Sequence, residues 1–182
     1  MISVRHEQRG DEDAIHAVNE KAFGQPTGAN IVGSLRRQCS DRLSLLVVSG
    51  RQIVGHILFA PVVVQTAHET HRGMGLAPMA AVPEHQRQGI GTKLVQVGLE
   101  ILRIEGCPFV ILVGHPEYYP RFGFVPASKH GIVCQWEGIP DEAFMVMILD
   151  EKTMAAVSGT ARYRPEFDQA MREPNQALEA IF

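Results

Sequence analysis

The chain has little of what would tie it to a scaffold other than a packed core. Only three cysteines occur, Cys39, Cys107 and Cys134, with no Cys-x-x-Cys pair. That excludes a disulfide framework and a zinc ribbon and leaves reduced thiols in a cytoplasm as the expectation. No apolar run approaches the ~20 residues of a membrane span, and the N-terminal "MISVRHEQRGDEDAI" turns charged at once, unlike a signal peptide. Neither sign of charge dominates. Lys plus Arg number 17 and Asp plus Glu 20, a net charge of -3 that excludes broad attraction to a nucleic-acid backbone or an anionic membrane. Repeats and low-complexity tracts are missing too. The one His-x-x-His, His68 to His71, lacks the His-Glu-x-x-His order of zinc proteases and reads as a solvated loop, so no metal is expected. What remains is 182 residues, 45% apolar, enough for one globular domain with an appendage.

Along the chain, "ISVRH" alternates as a short strand. "DEDAIHAVNEKAFG" follows as a helix with Asp11 as N-cap, Ile15, Val18 and Ala22 on one face and Gly24 as the stop. "NIVGSLRRQ" predicts a second helix with Ile31, Val32 and Leu35 inward. "LSLLVVSGRQIVGHILFAPVVVQ" predicts a hairpin turning at "SGRQ". "GLAPMAAV" continues as a strand. Pro78 inside it removes a ladder donor, which marks either a bulge or a strand that starts only after it. "TKLVQVGLEILRIEG" is a helix with Leu94, Val97, Ile101 and Ile104 at helical spacing, and the apolar "PFVILVG" is a buried strand parallel to "GLAPMAAV". "GIVCQW" and "AFMVMIL" are two further strands joined by "EGIPDE". Beyond Asp150 periodicity fades, with short helices expected around "EKTMAAV" and "PNQALEAIF". The sum is an α/β (α+β) fold, a mixed, mostly antiparallel sheet flanked by helices with one central parallel pair. Residues 1–150 form its domain and 151–182 a C-terminal extension packing on it.

Between the parallel strand and the long helix stands "PEHQRQGIGTKLV". A dinucleotide fingerprint fails because Leu94 occupies the third glycine position, and an ATP P-loop fails because Thr92 precedes Lys93 with no glycine in the required frame. Gln86-x-x-Gly89-x-Gly91 remains. Its glycines allow close backbone approach, and free N–H groups from Arg87 to Thr92, with a helix dipole behind them, suit an anion such as a pyrophosphate. A glycine-rich turn that merely starts a helix is spelled the same way.

The stretch "MAAVPEHQRQGIGTKLV" resembles motif A of the GNAT superfamily of N-acetyltransferases, spelled Gln/Arg-x-x-Gly-x-Gly/Ala after a strand end, and the element order matches that fold over residues 1–150. "YYPRFGF" carries Tyr119-x-x-x-Gly123-Phe124, a second motif that follows the fifth strand in many GNAT proteins. "IVGHILFAPV", "PEHQRQGIG" and "PEYYPRFGF" are similar to the YhbS-like group within the superfamily. The resemblance implies acetyl-CoA as cosubstrate, its pyrophosphate on Gln86, Arg87, Gln88, Gly89, Ile90, Gly91 and Thr92. Its pantetheine would pair with backbone at Ala80, Ala81 and Val82, where the two parallel strands splay. It also implies Tyr119 as the acid that protonates the departing thiolate, with Tyr118 able to substitute, since a phenol of pKa ~10 donates at neutral pH. The strand lacks the acidic residue that some relatives carry, so His115 and Glu117 are the candidates for a base, His115 foremost.

The expected activity is acetyl transfer from acetyl-CoA to a primary amine by direct attack, the acceptor a small-molecule or protein amine. The missing base keeps a second reading open, an acyl-CoA-binding or sensing module of the same fold. Strand edges near "AFMVMIL" and the tail imply a homodimer.

Overall fold

The computed structural model describes residues 2–168 and 170–172. In chain order the elements are β1 (Ile2–His6), α1 (Glu12–Phe23), α2 (Thr27–Gln38), β2 (Leu43–Ser49), β3 (Gln52–Gln65), β4 (Thr70–Ala81), α3 (Ile90–Ile104), β5 (Phe109–Val113), β6 (Val125–Pro126), β7 (Ile132–Cys134), β8 (Phe144–Ile148) and β9 (Gly159–Arg162). Among the described residues these strands form one sheet in the order β1-β2-β3-β4-β5-β8-β6, with β9 pairing both β3 and β7. The main path is antiparallel except for β4 and β5, whose parallel pairing is the expected central pair. Helices α1 and α2 cover one face, with Ile15, Ile31, Val32 and Leu35 packed on Leu46, Leu58 and Ala60. Helix α3 covers the other, with Leu94, Val95 and Leu99 on Leu45, Val47, Ile57 and Phe59.

Several local expectations change. Asp11 stands at the N-cap of α1 but makes no side-chain cap bond. Its carboxylate instead accepts from Arg5 at 2.6 and 2.8 Å and from the Gln8 N–H, because a guanidinium fork offers a stronger charge-assisted pair than a helix N–H. Helix α3 turns a different stripe inward than Leu94, Val97, Ile101 and Ile104. The buried residues are Ile90, Leu94, Val95, Gly98, Leu99 and Leu102, while Ile104 is 77% exposed. Gly98 decides this orientation, since a Cβ there would stand 2.4 Å from the Phe59 ring. Strand β4 begins at Thr70, so His71 belongs to it and only the start of the His68 to His71 stretch is loop.

The strand from "GIVCQW" does not pair with "AFMVMIL". β7 runs parallel to β9, whereas β8 is flanked by β5 and β6, so Met145 and Val146 are covered on the side expected to be a free edge. Turns replace the helix expected around "EKTMAAV", and β9 follows as a strand that the sequence reading lacked. The expected helix at "PNQALEAIF" lies outside the described residues.

Pro78 lies inside β4 at a bulge. Ile57 opposes Met79 and Phe59 opposes Leu76, so Ala77 and Pro78 together stand against Leu58 alone. The parallel ladder with β5 consists of Met74↔Val110 and Gly75↔Ile111, just before that bulge. Beyond it, β4 runs on to Ala81 with no register partner on β5.

Beside this separation, under α1, lies a buried polar chain. Asn19 Nδ2 donates to the Ile15 carbonyl at 2.9 Å and lies 3.0 Å from His56 Nδ1, while His56 Nε2 lies 3.1 Å from Ser44 Oγ. Only an NH2 group can satisfy the Ile15 carbonyl, which fixes the amide orientation. His56 Nδ1 is therefore an acceptor and Nε2–H the donor to Ser44. His56 is fully buried, and desolvation, aided by the charge of Arg36, pushes its pKa down to about 3. The unfolded chain takes up a proton below about pH 6.5 that the folded chain refuses. Stability is thus expected to fall by about 1.4 kcal/mol per pH unit between pH 6.5 and 4 from this one group. Denaturant unfolding measured across that range checks it: a His56→Gln variant, which offers an acceptor and a donor but no titration, should flatten the slope. An equally steep slope in the variant would assign the loss elsewhere.

Candidate active site

Where β4 leaves β5, its backbone is split between two sides. The Val82 N–H is taken by the Val54 carbonyl at 3.0 Å. Hydrogen-bonded pairs alternate along an antiparallel ladder, so Ala80, opposite His56, also turns its polar groups toward β3. Ala81, opposite Gly55, aims its N–H and C=O toward the side β5 has vacated, and the Gln86 side-chain amide donates to that carbonyl at 3.1 Å.

The chain then crosses a single turn at Pro83–His85 and enters the glycine loop. Arg87 (φ 59°) and Gly89 (φ 81°) both sit in the left-handed region, flanking Gln88, a backbone shape that gathers successive N–H groups into a concavity. Gly89 caps α3 without any side-chain bond, and the first bond of the helix ladder runs from the Lys93 N–H to the Gly89 carbonyl at 2.9 Å. The N–H groups of Ile90, Gly91 and Thr92 precede that bond and have no acceptor within the helix.

These groups open into a cleft of about 570 Å³, lined also by Met79, Ala81, Gln86, Tyr118 and Arg121. Among the described residues no carboxylate lines it, and Arg87 and Arg121 stand on its rim. With the positive end of α3 behind it, the cleft favours an anion.

Ala81, Gln86, Arg87, Gly89, Ile90, Gly91 and Thr92 come together on this cleft. Ala80 and Val82 lie behind it in the core, and the Gln88 side chain turns back to the Glu84 carbonyl at 2.9 Å. His115 is exposed at the end of β5, where its carbonyl receives the N–H groups of Tyr118 (3.0 Å) and Tyr119 (3.4 Å). Tyr119 is 2% exposed. Its ring presses on Gly114 so closely that a Cβ there would be 2.5 Å from Cε2, and it packs edge-on against Phe124 and Tyr118. Burial, with Tyr118 adding to it, pushes the Tyr119 pKa up, so the phenol stays protonated at neutral pH. Met79, His85 and Arg121 also line the cleft and were not singled out from the sequence. His85 and Arg121 lie inside the two quoted motifs; only their position relative to the glycines could have signalled them.

Among the described residues no three His, Cys, Asp or Glu side chains cluster as metal ligands, and no helix is long and apolar enough to cross a membrane.

This fold and cleft define an acyl-transfer class. Residues 3–127 match the model of the acetyltransferase (GNAT) domain, and the chain belongs to that family as an N-acetyltransferase. It is 39% identical over 159 residues to the uncharacterized N-acetyltransferase YjhQ of Escherichia coli, covering 86% of this chain and 87% of that one. It is 32% identical over 167 residues to the uncharacterized N-acetyltransferase YhbS of E. coli, covering 91% and 98%. The crystal structure of E. coli YhbS in complex with CoA superposes with a TM-score of 0.86 at 32% identity over 92% of each chain. A GNAT family acetyltransferase from Brucella melitensis in complex with acetyl-CoA gives 0.74 at 30% identity over 92% of this chain and 99% of that one.

Proposed function

We propose that acetyl-CoA is the cosubstrate and lies in the cleft, that the N–H groups of Ile90, Gly91 and Thr92 hold its pyrophosphate, and that the backbone of Ala81 pairs with its pantetheine. A single observation carries this reading: orphan N–H groups at the start of α3 adjoin, in one acid-free cleft, the stretch of β4 that β5 leaves unpaired. The CoA and acetyl-CoA complexes of YhbS and the B. melitensis protein support it. Bound there, acetyl-CoA supplies an activated thioester. The Ala81 N–H polarises the carbonyl oxygen. An amine nitrogen attacks the carbonyl carbon and loses a proton to water, the C–S bond breaks, and the Tyr119 hydroxyl gives a proton to the sulfur and regains one from water, so that the amine's proton is in balance the one the thiol carries away.

The acceptor is a primary amine, either a small molecule or a protein side chain. Residues 151–168 serve as an extension of the same domain, supported by β9 lying along β3 and by Phe167 in the core. The free thiols Cys39, Cys107 and Cys134 support a cytoplasmic location.

Purified protein incubated with acetyl-CoA and a panel of amines is expected to release free CoA faster than buffer. Binding of acetyl-CoA without release, over small amines and protein amines alike, would reduce the activity to binding.

A further inference from the structure

Beside the loop the cleft is lined by two residues three positions apart, Tyr118 and Arg121, on either side of the start of the turn Tyr119–Phe122. Gly91 faces them. Its φ is not in the left-handed region, in contrast to Gly89, so its backbone does not call for glycine. Its surroundings do: a Cβ on Gly91 would stand 2.7 Å from Tyr118 Oη and 3.3 Å from Met79 Cε. The Tyr118 hydroxyl thus rests directly over the first turn of α3, beside the N–H groups that the helix leaves unused.

The Arg121 guanidinium lies 4.6 Å from the centre of the Tyr118 ring and donates to the Glu117 carbonyl at 3.4 Å, two contacts that hold both side chains to the cleft wall. Arginine–tyrosine stacks are common on surfaces. This one differs in that the hydroxyl points at a helix N-terminus and no carboxylate among the described residues lines the cleft to neutralise the guanidinium.

We infer that Tyr118 and Arg121 form a side-chain clamp on the coenzyme's pyrophosphate, Tyr118 Oη, lying against Gly91, donating to the same phosphate oxygens as the neighbouring N–H groups of Gly91 and Thr92. Arg121 sets the ring and adds the compensating charge. The role rests on the coenzyme reading above and assigns both residues to binding, separate from the proton donor Tyr119. A planar guanidinium stacks where an ammonium does not, so Arg121→Lys retains charge and loses the alignment.

Calorimetric titration of CoA and of dephospho-CoA, and turnover of acetyl-pantetheine, which lacks the pyrophosphate, test it on the full chain. Tyr118→Phe and Arg121→Ala are each expected to weaken CoA about tenfold, the loss of one charge-assisted hydrogen bond, with Arg121→Lys in between. Dephospho-CoA should weaken by the same factor, and acetyl-pantetheine turnover should fall by clearly less than the coenzyme affinity does. Wild-type CoA affinity in both variants would overturn the clamp. So would an equal loss with acetyl-pantetheine, or a loss absent with dephospho-CoA, which would move the contact to the 3′-phosphate. Failure of the unaltered protein to bind CoA would instead remove the coenzyme reading and the clamp with it.

Discussion

Tyr119→Phe is expected to keep the fold and the affinity for acetyl-CoA while turnover falls by roughly 10²–10⁴-fold, the range for losing a positioned proton donor. The ring is what the structure uses: it fills the space beside Gly114 and packs against Phe124, and phenylalanine preserves both contacts. The hydroxyl is what the proposed proton transfer would use. Because burial raises its pKa, it is never ionised near neutrality and acts only as a donor, so its own titration contributes nothing to the pH–rate profile there. Steady-state kinetics with kcat and KM separated, beside a thermal unfolding curve, provide the check. An unchanged kcat would assign the proton on sulfur to another donor.

Gly91→Val is expected to weaken acetyl-CoA by roughly 10–100-fold, the affinity equivalent of a steric clash costing 1–3 kcal/mol. The helical φ of position 91 accepts valine without backbone strain, but the crowding against Tyr118 and Met79 lies within the folded chain, so the melting temperature should fall by a few degrees, far short of unfolding. The new Cβ collides with Tyr118 Oη and Met79 Cε, and its methyl groups cover the N–H groups on which the anion would rest. Calorimetry of coenzyme binding and thermal unfolding of the same sample separate the two effects. Wild-type affinity in the folded variant would show that the anion does not lie against this turn.

Much of the site was legible in the sequence because its elements are local. A strand end, two glycines one residue apart and an apolar helix specify the backbone concavity within about ten residues, and Gly89 performs the left-handed cap its position implies. The parallel pairing of β4 and β5 followed from strand-helix-strand order alone. Pro78 left two outcomes open locally, and the register decided for a bulge within a strand that begins at Thr70.

Other features depended on partners far away in the chain. Helix α3 is apolar on more than one stripe, so periodicity alone allowed either orientation. The ring of Phe59 fits into the gap at Gly98, and it selects the stripe through Leu94, Val95, Gly98 and Leu102 only once β3 is in place. The polar "GTAR" carries no strand pattern and becomes β9 because β2 pairs with β3 only as far as Phe59, which leaves the edge at Val63, Val64 and Gln65 open.

The fold class, the glycine concavity and the pair of tyrosines beside it are each written in contiguous residues, so the amino-acid order was enough to specify them. Long-range packing settled that Tyr118 lines the cleft while the Tyr119 ring is buried against Gly114 and Phe124, that Arg121 joins Tyr118, and that Ala81 rather than its neighbours opens toward the gap. Those depend on how a short turn lies across the start of α3 and on the phase of hydrogen bonds with β3, both set by contacts between segments distant in the chain.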